Sequence, residues 1–142
     1  MMVSTRGRYA LRVMLDLAEH YGQGYVPMKE VAERQELSLK YMERIMPDLT
    51  RSGCVEGVHG KGGGYRLRRP PQDITVWEIL SQTEGDLAPV SCLNSDAVAC
   101  DRAAECRTLP LWQDFYKLTR QYFEGVTLSD LMGVPAADNY VI

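Results

Sequence analysis

MKEVAERQELSLKYMERIMPDLTRSGCVEGVHGKGGGYRL, residues 28–67, holds two helical periods separated by a tight turn, followed by a change to strand-like spacing. Val31 and Ala32 set the inner face of a short helix from Met28 to about Gln35, and Glu36-Leu37 turns the chain. Ser38 stands where a helix N-cap belongs, because its hydroxyl oxygen can accept from a backbone N–H that has no partner within the helix. Leu39, Met42, Ile45, Met46 and Leu49 then recur on one face. Two short helices joined by a tight turn, the second opened by Ser, form the helix-turn-helix pattern. Pro47 removes a backbone donor and crowds the preceding turn, so it predicts a kink or an end near Met46.

From Gly53 the period changes. Cys54 to Val58 reads as a strand, His59–Gly64 as a glycine-rich loop, and Tyr65 to Arg68 as a returning strand, which together make a β-hairpin with a basic tip. The loop His59-Gly60-Lys61-Gly62-Gly63-Gly64 is not a nucleotide-phosphate loop, since Lys61 is followed by glycines and a strand instead of Ser/Thr and a helix. A hairpin tip of this composition suits close approach to a DNA backbone across the minor groove.

Upstream, Ser4 or Thr5 can cap a first helix that runs to about His20. Ala10, Val13, Met14, Leu17, Ala18 and Tyr21 face inward there, while Arg8, Arg12, Asp16 and Glu19 face water. Tyr25–Pro27 reads as a short extended stretch able to pair with the hairpin. Downstream of Pro70-Pro71, a short helix is expected from Asp73 to Glu84, with Thr75 and Glu78 spaced as a capping box. Residues 85–107 have no period and carry three cysteines. A long helix from about Leu109 to Glu124 follows, with Leu111, Phe115, Leu118 and Tyr122 in one stripe flanked by Trp112, Tyr116 and Phe123. So broad an apolar stripe on a late helix reads as a dimer interface, the alternative being packing on the chain's own core. Thr127 to Met132 adds a further turn, and Gly133 to Ile142 reads as a loose tail. The fold class is therefore mainly α: a winged helix-turn-helix over residues 1–70, a cysteine-loop sensory and dimerisation region over 71–132, and a tail over 133–142.

Composition sets the class of partner. Residues 1–70 carry 12 Lys/Arg against 8 Asp/Glu, whereas residues 71–142 carry 4 against 11. A basic half joined to an acidic half predicts a phosphate-facing module attached to one that faces elsewhere. No stretch is long and apolar enough for a membrane span, the first residues do not form a signal peptide, and a cytoplasmic location is expected. No nucleophile–base pair or paired-carboxylate signature points to an enzyme.

On the second helix of the motif, Ser38, Lys40, Tyr41 and Arg44 face outward with Glu43 among them. An Arg there can fork onto guanine O6 and N7, Ser and Tyr can bond bases or phosphate, and Lys supplies charge. Ser4-Thr5-Arg6-Gly7-Arg8-Tyr9-Ala10, Glu33-Arg34-Gln35 with Ser38 and Tyr41, and Gly60-Lys61-Gly62-Gly63-Gly64-Tyr65 resemble the IscR-type family of winged-helix regulators, which includes nitric-oxide-sensing and cysteine-metabolism members. The resemblance extends to about Met132. It implies a homodimer on a pseudo-palindromic double-stranded DNA operator, with dimerisation through the late helix. By position it implies DNA contacts from Ser38, Lys40, Tyr41, Arg44, His59, Gly60 and Lys61, with His59 standing where relatives often carry Arg.

Cys92, Cys100 and Cys106 follow the scheme C-x7-C-x5-C. Three thiolates from one irregular loop suit an iron–sulfur cluster or zinc; the other reading is a set of redox thiols that bind no metal. The resemblance implies a cluster, 2Fe–2S, that controls operator affinity, with a metal-free thiol-sensing or partner-bound regulator as the alternative. The sequence departs from the family pattern in a first spacing longer by two and in Leu109, which occupies the place of a nearby His. Some relatives use an acidic residue near the partner's N-terminus, where this chain has Arg8. Asp96, Asp101, Glu105, solvent or a small thiol remain as candidates for the fourth ligand. Cys54, in an apolar strand, reads as a small core residue.

Overall fold

A computed structural model describes residues 2–135, and the tail expected over 133–142 lies largely outside them. The chain forms α1 (Thr5–Glu19), α2 (Met28–Gln35), α3 (Leu39–Arg51), β1 (Val55–Val58), β2 (Gly64–Leu67), α4 (Val76–Glu84), α5 (Leu109–Glu124) and α6 (Leu128–Met132). Short 3-10 turns at Pro71–Asp73, Ser91–Leu93 and Ala103–Glu105 break the connecting segments. The helix starts follow the capping chemistry. Ser4 caps α1 by accepting from Gly7 N–H, Ser38 caps α3 by accepting from Tyr41 N–H, and Thr75 with Glu78 closes a reciprocal capping box on α4.

The core gathers one face of each of the first three helices. Val13, Met14 and Leu17 of α1 meet Val31 of α2 and Met42, Ile45, Met46 and Leu49 of α3, all essentially sealed from solvent. Each such side chain contributes about 1.5–3 kcal/mol through removal of apolar surface from water. Ile74, Ile79 and Leu128 belong to the same core, so the later helices are packed against the helix-turn-helix. Backbone bonds sew this closure: Leu128 N–H donates to Ile74 O at 3.0 Å and Val76 N–H to Val126 O at 2.9 Å. A smaller cluster of Val76, Leu80 and Leu87 receives Trp77, Tyr116 and Phe123.

The hairpin is antiparallel, pairing Val55 with Leu67 and Val58 with Gly64. Its base is braced by the extended stretch before α2. Val26 and Tyr65 exchange backbone hydrogen bonds of 2.8 and 2.9 Å. Gly64 allows this approach, since a Cβ there would stand 2.2 Å from Val26 O.

Four expectations are corrected. α3 runs through Pro47 to Arg51 without ending at Met46. The carbonyl that Pro47 leaves unpaired is that of Glu43, and both residues lie on the exposed face where water can satisfy it, while Ile45, Met46 and Leu49 hold the helix in the core. Leu39 and Tyr21 are exposed because each lies at a helix end, beyond the strip its helix buries. The largest departure is Asp16, which is 2% exposed. Arg34 donates to its two oxygens at 3.0 and 2.8 Å and Gln35 Nε2 donates at 3.0 Å, so α2 lies over the carboxylate and holds it out of water.

Burial raises the Asp16 carboxyl, but the hydrogen bonds from Arg34 and Gln35 and the charges of Arg34 and His20 outweigh it and leave the pKa below the ordinary aspartate value. The resulting stabilisation is present above the unfolded-state pKa and is lost as pH falls through the lower folded value. Asp16→Ala should therefore lower the free energy of unfolding at pH 7 by about 1.5–3 kcal/mol. In urea titrations, the gap between wild type and variant should narrow as pH falls below about 4.

Candidate functional site

The Ser38 cap fixes where α3 begins, and with it the surface offered by its first two turns. Ser38, Lys40 and Arg44 are exposed there, and Glu43 lies beside them. The Ser38 hydroxyl oxygen already accepts from Tyr41 N–H at 3.1 Å, which leaves its O–H as the group available to a ligand. Tyr41 is half-buried, its ring edge-on to Tyr9 at 5.4 Å between centroids, so α1 sets its direction. Behind this face Arg6 of α1 donates to Arg44 O at 3.3 Å and pairs with Asp48, which also pairs with Arg51. Asp48 is buried and neutralises these two guanidiniums on the side away from the outer face of α3.

His59, Gly60 and Lys61 form the exposed tip of the hairpin, beyond the last strand pair. Gly60 and Gly62 adopt φ of 94° and 79°, a conformation that favours glycine, and Gly63 N–H closes the turn on Gly60 O at 3.0 Å. The base is stiffer than the tip. Arg66 bonds Glu56 across the strands at 2.7 Å and stacks over Tyr25 at 4.4 Å. The tip and the outer face of α3 thus form two projections held by one scaffold.

The three loop cysteines share one pocket of about 200 Å3, lined also by Leu93, Leu109, Gln113 and two alanines. Cys92 lies in the 3-10 turn Ser91–Leu93, and Cys106 follows the turn Ala103–Glu105, just ahead of α5. Asp86 folds the first arm of the loop by accepting from Ala88 and Ser95 N–H, each at 2.8 Å. Cys106 contacts the Thr108 hydroxyl at 3.5 Å. That hydrogen bond, with the Thr108 and Leu109 N–H groups and the charge of Arg102, holds its thiol below the ordinary cysteine value.

Soft sulfur donors around a common pocket fit an iron–sulfur cluster in kind. Among the described residues no group of three His, Cys, Asp or Glu side chains stands close enough to hold a metal ion. Loading would therefore draw the exposed thiols of Cys92 and Cys100 inward. Of the three acidic candidates, Asp96 lines a separate pocket with Asp86, and Asp101 and Glu105 point to solvent without lining the cysteine pocket.

The family model for Rrf2, described as an iron-dependent transcriptional regulator, matches residues 3–133. The chain belongs to the Rrf2 family. It is 35% identical over 132 residues to the HTH-type transcriptional regulator IscR of Aliivibrio salmonicida, covering 93% of this chain and 77% of that protein. Among solved structures it is similar to CymR, the global cysteine regulator of B. subtilis, with 31% identity, coverage of 93% and 96%, and a TM-score of 0.74. T. potens IscR is similar at 34% identity, coverage of 93% and 86%, and a TM-score of 0.71. As an Rrf2 protein the chain is a DNA-binding transcriptional regulator and not an enzyme, and its helix-turn-helix followed by a two-stranded hairpin is the winged-helix architecture of those structures. No helix of the described residues is long and apolar enough to cross a membrane.

Sequence reasoning placed the cysteines on one loop and missed Gln113, whose spacing from Leu109 by one helical turn was the available signal. It also missed Arg6 and Asp48, because an ion pair across two helices leaves no local pattern. Cys54 is buried, as its apolar strand indicated, with Arg69 Nη2 3.4 Å from its sulfur. In this Rrf2 chain α5 buries none of its residues: Tyr116 turns toward Trp77 and Phe123 packs on the smaller cluster, while Leu111, Phe115, Leu118 and Tyr122 are 44–69% exposed.

The Thr108 contact gives a direct test of thiol chemistry. Thr108→Val removes the hydroxyl donor, so the Cys106 pKa should rise. Its alkylation by iodoacetamide at neutral pH should then slow several-fold, followed by peptide mass spectrometry against Cys92 and Cys100 as internal references.

Proposed function

We propose that this Rrf2 protein acts as a repressor or dual regulator, a homodimer on a pseudo-palindromic operator, with affinity controlled by a 2Fe–2S cluster held by Cys92, Cys100 and Cys106. The convergence of the three thiols on one pocket beside the first turn of α5 carries the reading. The same helix presents the exposed stripe Leu111, Phe115, Leu118 and Tyr122, and a second copy is the natural cover for so contiguous an apolar face. Residues 1–70 then serve DNA, and residues 71–132 serve sensing and assembly.

On DNA, Arg44 reads guanine from the start of α3, Lys40 and Tyr41 hold the neighbouring phosphates, and Ser38 offers its O–H. His59 and Lys61 meet the backbone from the hairpin tip, where Gly60 permits close approach. Glu43 is repelled by phosphate and favours sites that place a cytosine amine before it. A bound cluster supplies a redox-sensitive, removable set of bonds that ties the three arms of the loop together. The chain's own part is to pass loop order to the dimer helix through Cys106, which leads directly into α5. Coupling of this kind requires only about 1–3 kcal/mol.

A second reading is favoured by the lowered Cys106 thiol and the separation of the sulfurs: a metal-free regulator in which these thiols respond to oxidants. Anaerobic purification with iron and sulfide analysis separates the two, combined with footprinting on the region upstream of the protein's own gene. Cluster-loaded protein should be coloured, and changing Cys92, Cys100 and Cys106 to Ser should remove colour and alter DNA affinity together. Colourless, iron-free protein whose DNA affinity still responds to peroxide would establish the thiol reading instead. In either case Arg44→Ala should weaken specific binding by about 1–3 kcal/mol, whereas Lys61→Ala should weaken all sequences alike and reduce the salt dependence.

A further inference from the structure

Three thiols leave a cluster one ligand short, and Leu109, three residues after Cys106, has no donor atom. α5 repeats its face every four residues, so the side chain one turn beyond Leu109 on that face is Gln113. Gln113 lines the cysteine pocket together with Leu109, and it is the pocket's only polar side chain that lacks sulfur. The acidic side chains of the loop do not line this pocket. Gln113 also belongs to a continuous helix, whereas every cysteine sits in a turn or irregular segment. A donor on the helix can serve as the fixed wall toward which the irregular loop closes.

We propose that Gln113 supplies the fourth ligand, its amide Oε1 completing the set begun by Cys92, Cys100 and Cys106. The proposal rests on the iron–sulfur reading above. An amide oxygen is neutral and a weaker donor than thiolate or imidazole, so the corner it fills is the one most readily opened by a small competing molecule. This places the site of exchange next to α5, on the side of the loop that faces the dimer helix. A neutral oxygen also leaves the set with one thiolate charge fewer than a four-cysteine site, which shifts the reduction potential upward.

The test uses the full chain reconstituted anaerobically with ferrous iron and sulfide, compared with Gln113→Leu and Gln113→His. Readouts are iron and sulfide per chain, the visible spectrum, the EPR of the reduced form, and the rate of iron loss to a chelator. Gln113→Leu should lose iron several-fold faster than wild type. Gln113→His should retain it longer and shift the visible bands, since imidazole is the stronger donor. Gln113 is exposed, and circular dichroism of both variants confirms that the fold is kept. Unchanged spectra and chelation rates in both variants would overturn the assignment, as would a change produced by Asp101→Asn or Glu105→Gln in place of Gln113. Wild-type protein that takes up no iron would overturn the cluster reading itself, a result visible before any variant is made.

Discussion

The carboxylate of Asp16 is the interaction on which the DNA-facing architecture depends. Without a partner, a buried aspartate would be expelled to water or would carry a proton. With Arg34 across both oxygens and Gln35 on one of them, it ties the end of α2 to the last turn of α1. The next residue, Glu36, takes a left-handed conformation with φ of 54°, and the chain turns there into the Ser38 cap. The direction of α3 therefore follows from the placement of α2. Arg6 on Asp48 and on the Arg44 carbonyl fixes it a second time, from the other end of α1. α1 thus acts as the reference rod for α3, and the hairpin base is referenced to the same layer through Val26.

The second half of the chain uses the opposite strategy. α4 and α6 are drawn into the common core by Ile79 and Leu128, and they leave α5 as an outer strut with aromatic contacts on one side only. Trp77 receives Tyr116 at 6.2 Å between ring centroids and the Arg120 guanidinium at 5.2 Å, which sets the rotation of the strut about its own axis. That rotation points Tyr116 and Phe123 inward and leaves the stripe of Leu111, Phe115, Leu118 and Tyr122 outward.

Much of the fold was legible in the sequence because the relevant physics is local. Ser4, Ser38 and the Thr75–Glu78 pair announce helix starts within three residues, and the glycines of the hairpin announce its turn. What could not be read from the sequence is non-local. Asp16 sits among the polar residues of an amphipathic helix, and only the arrival of Arg34 and Gln35 from another helix makes it a core residue. Pro47 reads as a breaker until it and Glu43, whose carbonyl it leaves unpaired, prove to lie on the exposed face of α3. At the cysteine site, residue type and loop were evident from spacing, but the residues that share the pocket were not. An irregular loop has no period from which facing side chains can be inferred. Gln113 entered through the helix, and the acidic residues beside the cysteines in sequence turned elsewhere in space.

The stitching of Leu128 and Val126 to the strand-like segment around Ile74 and Val76 has a consequence for how the cysteine loop can diversify. It makes the loop from Gly85 to Thr108 an excursion between two helices whose far ends are anchored to each other. The entropy of closing such an excursion grows only with the logarithm of its length, so two additional residues cost about 0.1 kcal/mol. Insertions between Cys92 and Cys100 are then nearly free in stability while they change the bite of the sulfur donors. The spacing of the cysteines can drift at little cost to stability, and the core of the helix-turn-helix does not register the change.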